Sequence, residues 1–412
     1  MCLKRSYPAA LDVTVGAYEG GRVLPGCTCD KDRRGRLLPN EGNPCEWHFT
    51  FESLATSVHS KRIRTLSIDF RYTSFGRYPS LGRKKLLLGG CRFFSMSFPQ
   101  LTNLEWKSAE MGDTIHLFSN PPFTPTVSSL SFEGSWDGLF TRVKNLTSFT
   151  FMNYEDTIHV ETFRLFMSNN RSLESLSLHI TYFEGNTKGP PVDLLHLKSF
   201  TLPFYSEPLS TIIRIPALQR LSSLRISYEG ACEDLKLVAT GDGITLSVVV
   251  LDDIAEVWQS LVGYAQPTIG HVSFCDYPQG CKDCSGNIDG STIIPLLADA
   301  HTLEVGRDYL KFWYRDFLDD LKQLGSQLKT IRFEVWEEVN PYRWGDYRDE
   351  MSGHDLLDKI EELVRHRFEI GRPFSAVERM VVCESERSNR QQGYVWRCFY
   401  GDRKLGQYVQ PI

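Results

Sequence analysis

Three segments of this chain carry the same spacing of large apolar residues. They are Leu173-x-x-Leu176-x-Leu178, Leu197-x-x-Phe200-x-Leu202 and Leu221-x-x-Leu224-x-Ile226, and their starts lie 24 residues apart both times. The last two apolar positions of each segment alternate with polar residues, which puts them on one face of a strand. A unit of this length holds one short strand and a return segment. That is too little to bury its own apolar face, so such units are stable only when neighbours stack. Few architectures satisfy this condition, and all of them repeat.

The same pattern recurs at Ile63-x-x-Leu66-x-Ile68, Leu101-x-x-Leu104-x-Trp106, Val127-x-x-Leu130-x-Phe132, Leu146-x-x-Phe149-x-Phe151, Leu328-x-x-Ile331-x-Phe333 and Val377-x-x-Met380-x-Val382. From Val127 to Leu221 the starts are 19, 27, 24 and 24 residues apart, and the asparagine column of a regular leucine-rich repeat is missing. The expected fold is therefore α/β: an irregular leucine-rich-repeat-like solenoid, with a curved parallel sheet and with helices and loops on the convex side. The strands 146–151, 173–178, 197–202 and 221–226 are expected to pair in parallel in that order. Residues 1–49 read as an N-terminal strand (Ala10–Val15) and a loop rich in Cys, Gly and Pro, 50–384 as the solenoid, and 385–412 as an irregular cap. Helical spacing is present at Ile158, Phe163, Phe166 and Met167. It recurs at Ile254, Val257, Trp258, Leu261 and Val262 behind a capping Asp252, and at Leu310, Trp313, Tyr314, Phe317, Leu321 and Leu324. Ser352-x-x-Asp355 resembles a capping box for a helix carrying Leu356, Leu357, Ile360, Leu363, Val364 and Phe368, which Gly371 and Pro373 end.

Composition narrows the function classes. A net charge of −5 over 412 residues gives no general attraction to nucleic acid or an anionic membrane. No uncharged apolar run approaches the roughly 18 residues a membrane helix needs. The segment MCLKRSYPAALDVTV has no apolar signal-peptide core, so the 11 cysteines read as reduced thiols and the expected location is cytoplasmic or nuclear. On that view the sequons Asn145-Leu-Thr147 and Asn170-Arg-Ser172 are chance matches. A monomer is expected.

For chemistry the strongest candidate is Cys275-x5-Cys281-x2-Cys284 with His271 nearby, because a Cys-x2-Cys step can place two thiolates on one zinc ion. The alternative is a loop with free thiols. Cys27-x-Cys29 with Cys45-x2-His48 is tighter than usual zinc spacing. Phosphate-loop, metalloprotease and hydrolase signatures are missing from the sequence, so no catalytic residue and no cofactor are assigned.

Binding candidates are better defined. Between the inward apolar positions of five successive repeats stand Ser129, Ser148, Ser175, Ser199 and Ser223. The next outward position holds Ser131, Thr150, Ser177, Thr201 and Arg225. This predicts a narrow, hydroxyl-lined, nearly uncharged concave floor. It would recognise a protein partner by shape and hydrogen bonds, although small residues also relieve crowding on an inwardly curved sheet. The second candidate is the segment holding Trp336, Tyr342, Trp344 and Tyr347, residue types enriched at interaction hot spots. It reads equally as a lid over the last coil.

Certain segments also resemble a known family. Ser6-Tyr7-Pro8-Ala9-Ala10-Leu11-Asp12-Val13 resembles the strand that follows the F-box in mushroom-type fungal F-box/leucine-rich-repeat proteins. His59-Ser60-Lys61-Arg62-Ile63-Arg64-Thr65-Leu66 is similar to their first repeat. Leu363-Val364-x-x-Arg367 with Gly371-Arg372-Pro373 and the strand from Val377 looks like their closing helix–strand unit. The resemblance spans nearly the whole chain. It implies the substrate-recognition half of an F-box subunit of a cullin-type ubiquitin ligase. The helical F-box itself is expected before Pro8, where only seven residues stand, so binding of the cullin-ligase adaptor is expected only if an F-box lies upstream. The alternatives are a stand-alone leucine-rich-repeat scaffold and a zinc-dependent enzyme.

Overall fold

The computed structural model describes residues 9–16, 30–31, 37–38, 57–69, 98–107, 126–133, 136, 143–152, 157–179, 182–202, 209–229, 234–250, 254–274, 294–305, 322, 327–336, 353–382 and 394–398. The chain is α/β, with mostly parallel sheet and few helices. It divides into two compact units, residues 1–202 with 206–216 and residues 203–205 with 217–412.

In the first unit seven strands pair in chain order. They are β1 (Leu11–Gly16), β2 (Ile63–Asp69), β3 (Asn103–Lys107), β4 (Ser129–Glu133), β5 (Ser148–Met152), β6 (Ser175–His179) and β7 (Ser199–Leu202). Every pairing is parallel, and from β3 to β7 the register keeps repeat position against repeat position. The reason lies in the apolar spacing: Leu66, Leu104, Leu130, Phe149, Leu176 and Phe200 occupy equivalent positions and all are buried. A slip of one residue would turn the whole set to the other face.

Helix α1 (Val160–Asn169) covers that apolar face. Its buried residues are Val160, Phe163, Phe166 and Met167, with Ile158 buried on the short strand before it. Trp136 lies between helix and sheet, its ring 5.4 Å from Phe166 and 5.2 Å from Phe151, each edge-on, as aromatic quadrupoles favour. The Trp136 indole N–H donates to Thr162 Oγ1 at 3.1 Å, so the ring buries no idle donor.

The polar contact that ties this layer to the sheet is Asn170, which is fully buried just past the helix end. Its Nδ2 donates to the carbonyls of Val143 and Phe166 at 3.0 and 2.8 Å, and its Oδ1 accepts from the Leu146 N–H at 3.0 Å. The sequon at Asn170 is therefore spent internally, since the amide nitrogen a glycan would take is already bound on both sides.

The segments that carry the family resemblance also have structural work. Arg62 is buried, its Nε donates to the Ala9 carbonyl at 2.8 Å, and its own carbonyl accepts from the Leu11 N–H. It thus fixes the lead into β1.

The second unit holds β8 (Leu221–Glu229), β9 (Asp234–Gly241), β10 (Ile244–Val250), β11 (His271–Phe274), β12 (Thr302–Val305), β13 (Thr330–Trp336), β14 (Ala376–Val382) and β15 (Tyr394–Cys398). Their order is β10-β9-β8-β11-β12-β13-β14-β15, parallel from β8 through β11 to β14 and antiparallel elsewhere. Two expectations need correction here. The strand at Leu221 does not follow the one at Leu197 as the next parallel neighbour: its two edges are taken by β9, antiparallel, and β11, parallel. Strand β9 in turn pairs antiparallel with β10 through the turn Asp242-Gly243, with Gly243 at φ +68, a conformation glycine reaches without strain. Gly241 permits the close approach, because a side chain there would meet the Arg220 carbonyl oxygen at 1.9 Å. The span 385–412, expected to be irregular, contains β15, which pairs with β14.

Helix α2 (Ile254–Val262) buries Val257, Trp258, Leu261 and Val262 as the spacing predicts. Helix α3 (Gly353–Glu369) buries Ile360, Leu363 and Val364, whereas Phe368, expected on that face, is 48% exposed. The chain leaves α3 through Gly371 at φ +74, with the Arg372 N–H donating back to the Arg367 carbonyl. Arg367 is fully buried. Its guanidinium donates to the Leu328 and Arg372 carbonyls at 3.2 Å each and stacks over Phe374 at 4.8 Å. Burial pushes this guanidinium below its ordinary value. Of the expected helix of Leu310 to Leu324 only Lys322 is among the described residues, and the capping residue Asp252 lies outside them.

Candidate functional site

With the apolar positions buried, the residues between them share the opposite face of their strands. In the first unit they stand in rows across the strands. One row runs Asp12, Thr65, Asn103, Ser129, Ser148, Ser175, Ser199, and the next runs Thr14, Ser67, Glu105, Ser131, Thr150, Ser177, Thr201. Neighbouring strands lie about 4.8 Å apart, so each row is close-packed and small side chains suit it. From Ser129 to Thr201 the face is eight hydroxyls, each half-buried. Among the described residues none of these eight hydroxyls makes a side-chain hydrogen bond.

The other end of that face is charged. Glu105 accepts from Ser67 Oγ at 2.5 Å and pairs with Lys107 at 2.6 Å. Burial alone would raise the Glu105 carboxyl, but these two partners outweigh it and hold it below the ordinary range. Asp12 pairs with Arg64 at 2.9 Å, which depresses its carboxyl. Both residues are well exposed, so this pair adds little to stability.

The structure brings Ser175, Ser177, Ser199 and Thr201 together, with Ser175 opposite Ser199 and Ser177 opposite Thr201. Ser223 and Arg225, expected to continue the same strip, belong instead to the second unit, where they stand opposite His271 and Ser273. There the face changes character. Ser273, Glu304, Arg332 and Glu378 stand side by side on β11 to β14. Arg332 Nε donates to Glu378 Oε2 at 2.6 Å, and His271 Nε2 lies 3.8 Å from Glu304 Oε2. This charged set was legible by carrying the same two offsets into the later strands, where Thr302-Leu303-Glu304, Thr330-Ile331-Arg332 and Ala376-Val377-Glu378 repeat the alternation.

Of the zinc candidates, His271 is on β11, while Cys275, Cys281 and Cys284 lie outside the described residues, as do Cys27, Cys29, Cys45 and His48. Trp336 ends β13, and Tyr342, Trp344 and Tyr347 are likewise outside. Among the described residues no helix is long and apolar enough to cross a membrane. Comparison with family models, with curated proteins and with solved structures finds no match.

Two histidines on these faces give a pH prediction. Burial lowers both His179 and His271; at His271 the opposing pull of Glu304 is outweighed. A folded value below the unfolded one of about 6.5 means that the unfolded chain binds protons first. Stability should therefore be complete above about pH 6.5 and fall as the pH drops from there toward the folded values. Melting curves between about pH 7.5 and 5.5 check this: the fall should shrink in the His179→Gln, His271→Gln double variant, and an unchanged slope would contradict the assignment.

Proposed function

We propose that this chain is a protein-interaction module that holds a partner on the polar face of its sheet. In this reading the body is a leucine-rich-repeat-like solenoid and the polar face is its concave floor. The observation that carries the reading is the block of eight half-buried hydroxyls, Ser129 to Thr201, with no side-chain hydrogen bond among the described residues. Aligned donors and acceptors without internal partners suit a surface that completes its hydrogen bonds with another molecule. The residues that support a partner role are Ser175, Ser177, Ser199 and Thr201 in the first unit and Ser223 and Arg225 in the second. The resemblance to mushroom-type F-box/leucine-rich-repeat proteins supports a more specific version, in which the partner is the substrate of a cullin-type ubiquitin ligase.

The test is affinity purification from the native cell with wild-type protein and with the variant Ser177→Arg, Thr201→Arg. Both substitutions project a long charged side chain into the strip and leave the buried apolar positions untouched. A specific co-purifying protein should be lost, with its yield falling at least about tenfold, the equivalent of roughly 1.4 kcal/mol. Equal recovery by a variant with an unchanged melting temperature would move the site elsewhere. Ligase coupling has its own test. Purified adaptor should bind residues 1–412 only after an F-box is joined ahead of Pro8, and micromolar binding to the unmodified chain would place the adaptor site within residues 1–412 themselves.

A further inference from the structure

We draw no further inference here: the strongest candidate, the His271, Glu304, Arg332 and Glu378 cluster on the polar face of β11 to β14, belongs to the face already described, and nothing in the structure shows what covers it.

Discussion

Replacing Asn170 by Ala should cost about 3–5 kcal/mol, because it orphans more than one buried backbone group at once. The Leu146 N–H and the Val143 carbonyl both lose their partner, and the Phe166 carbonyl loses one. Each buried group left without a hydrogen bond costs about 1–3 kcal/mol. Asp at the same position is the informative control. It is nearly isosteric and keeps an acceptor for Leu146, but it turns a carboxylate oxygen toward two carbonyls where a donor stood. Asn170→Asp should therefore destabilise at least as much as Asn170→Ala. Chemical denaturation of the three proteins decides the matter. If Asp were tolerated, side-chain volume and not hydrogen bonding would be what the site requires.

The second large effect concerns which face of the sheet is the core. Leu176 is fully buried in β6, flanked in register by Phe149 and Phe200, so its side chain is shared by three consecutive repeats. Leu176→Ala should cost about 2–5 kcal/mol, the sum of lost transfer energy and of the cavity left between strands that cannot close up. Its neighbour Ser175 is only half-buried on the opposite face, and Ser175→Ala should cost under about 0.5 kcal/mol. Comparable losses at the two positions, measured by the same denaturation experiment, would mean that the faces are inverted.

Much of this fold could be read from the residues because one rule, apolar spacing at offsets 3 and 5, was repeated without interruption from Ile63 to Leu202. Each strand pairs with the next, so a local signal fixes a long-range contact. The rule failed where that link broke. Leu221-x-x-Leu224-x-Ile226 has the right spacing, yet its neighbour is the antiparallel strand β9, which holds the edge that a preceding repeat was expected to take. A signal for antiparallel strands here was present in Asp242-Gly243, which joins β9 to β10 between Leu235-x-Leu237-x-Ala239 and Ile244-x-Leu246-x-Val248. It was masked by a 24-residue period that suggested a further parallel coil.

The polar face was only partly legible for a related reason. Alternation states which residues share a face but not which strands stand beside each other. Ser223 and Arg225 therefore sat in the right face and the wrong neighbourhood. Asn170 illustrates the converse. Its position three residues before Leu173 falls outside the asparagine column that regular repeats would suggest, so its structural role could be seen only from the atoms it binds.

The central claim, that a protein partner lies against the hydroxyl strip, is tested most directly by site-specific photo-crosslinking in the native cell. A photoreactive amino acid is placed at Ser177, in the middle of the strip, and in a separate protein at Leu165, which is 51% exposed on α1. A discrete protein adduct is expected from position 177 and none from position 165. An adduct from position 165 alone would contradict the claim, and so would the same adduct pattern from both positions.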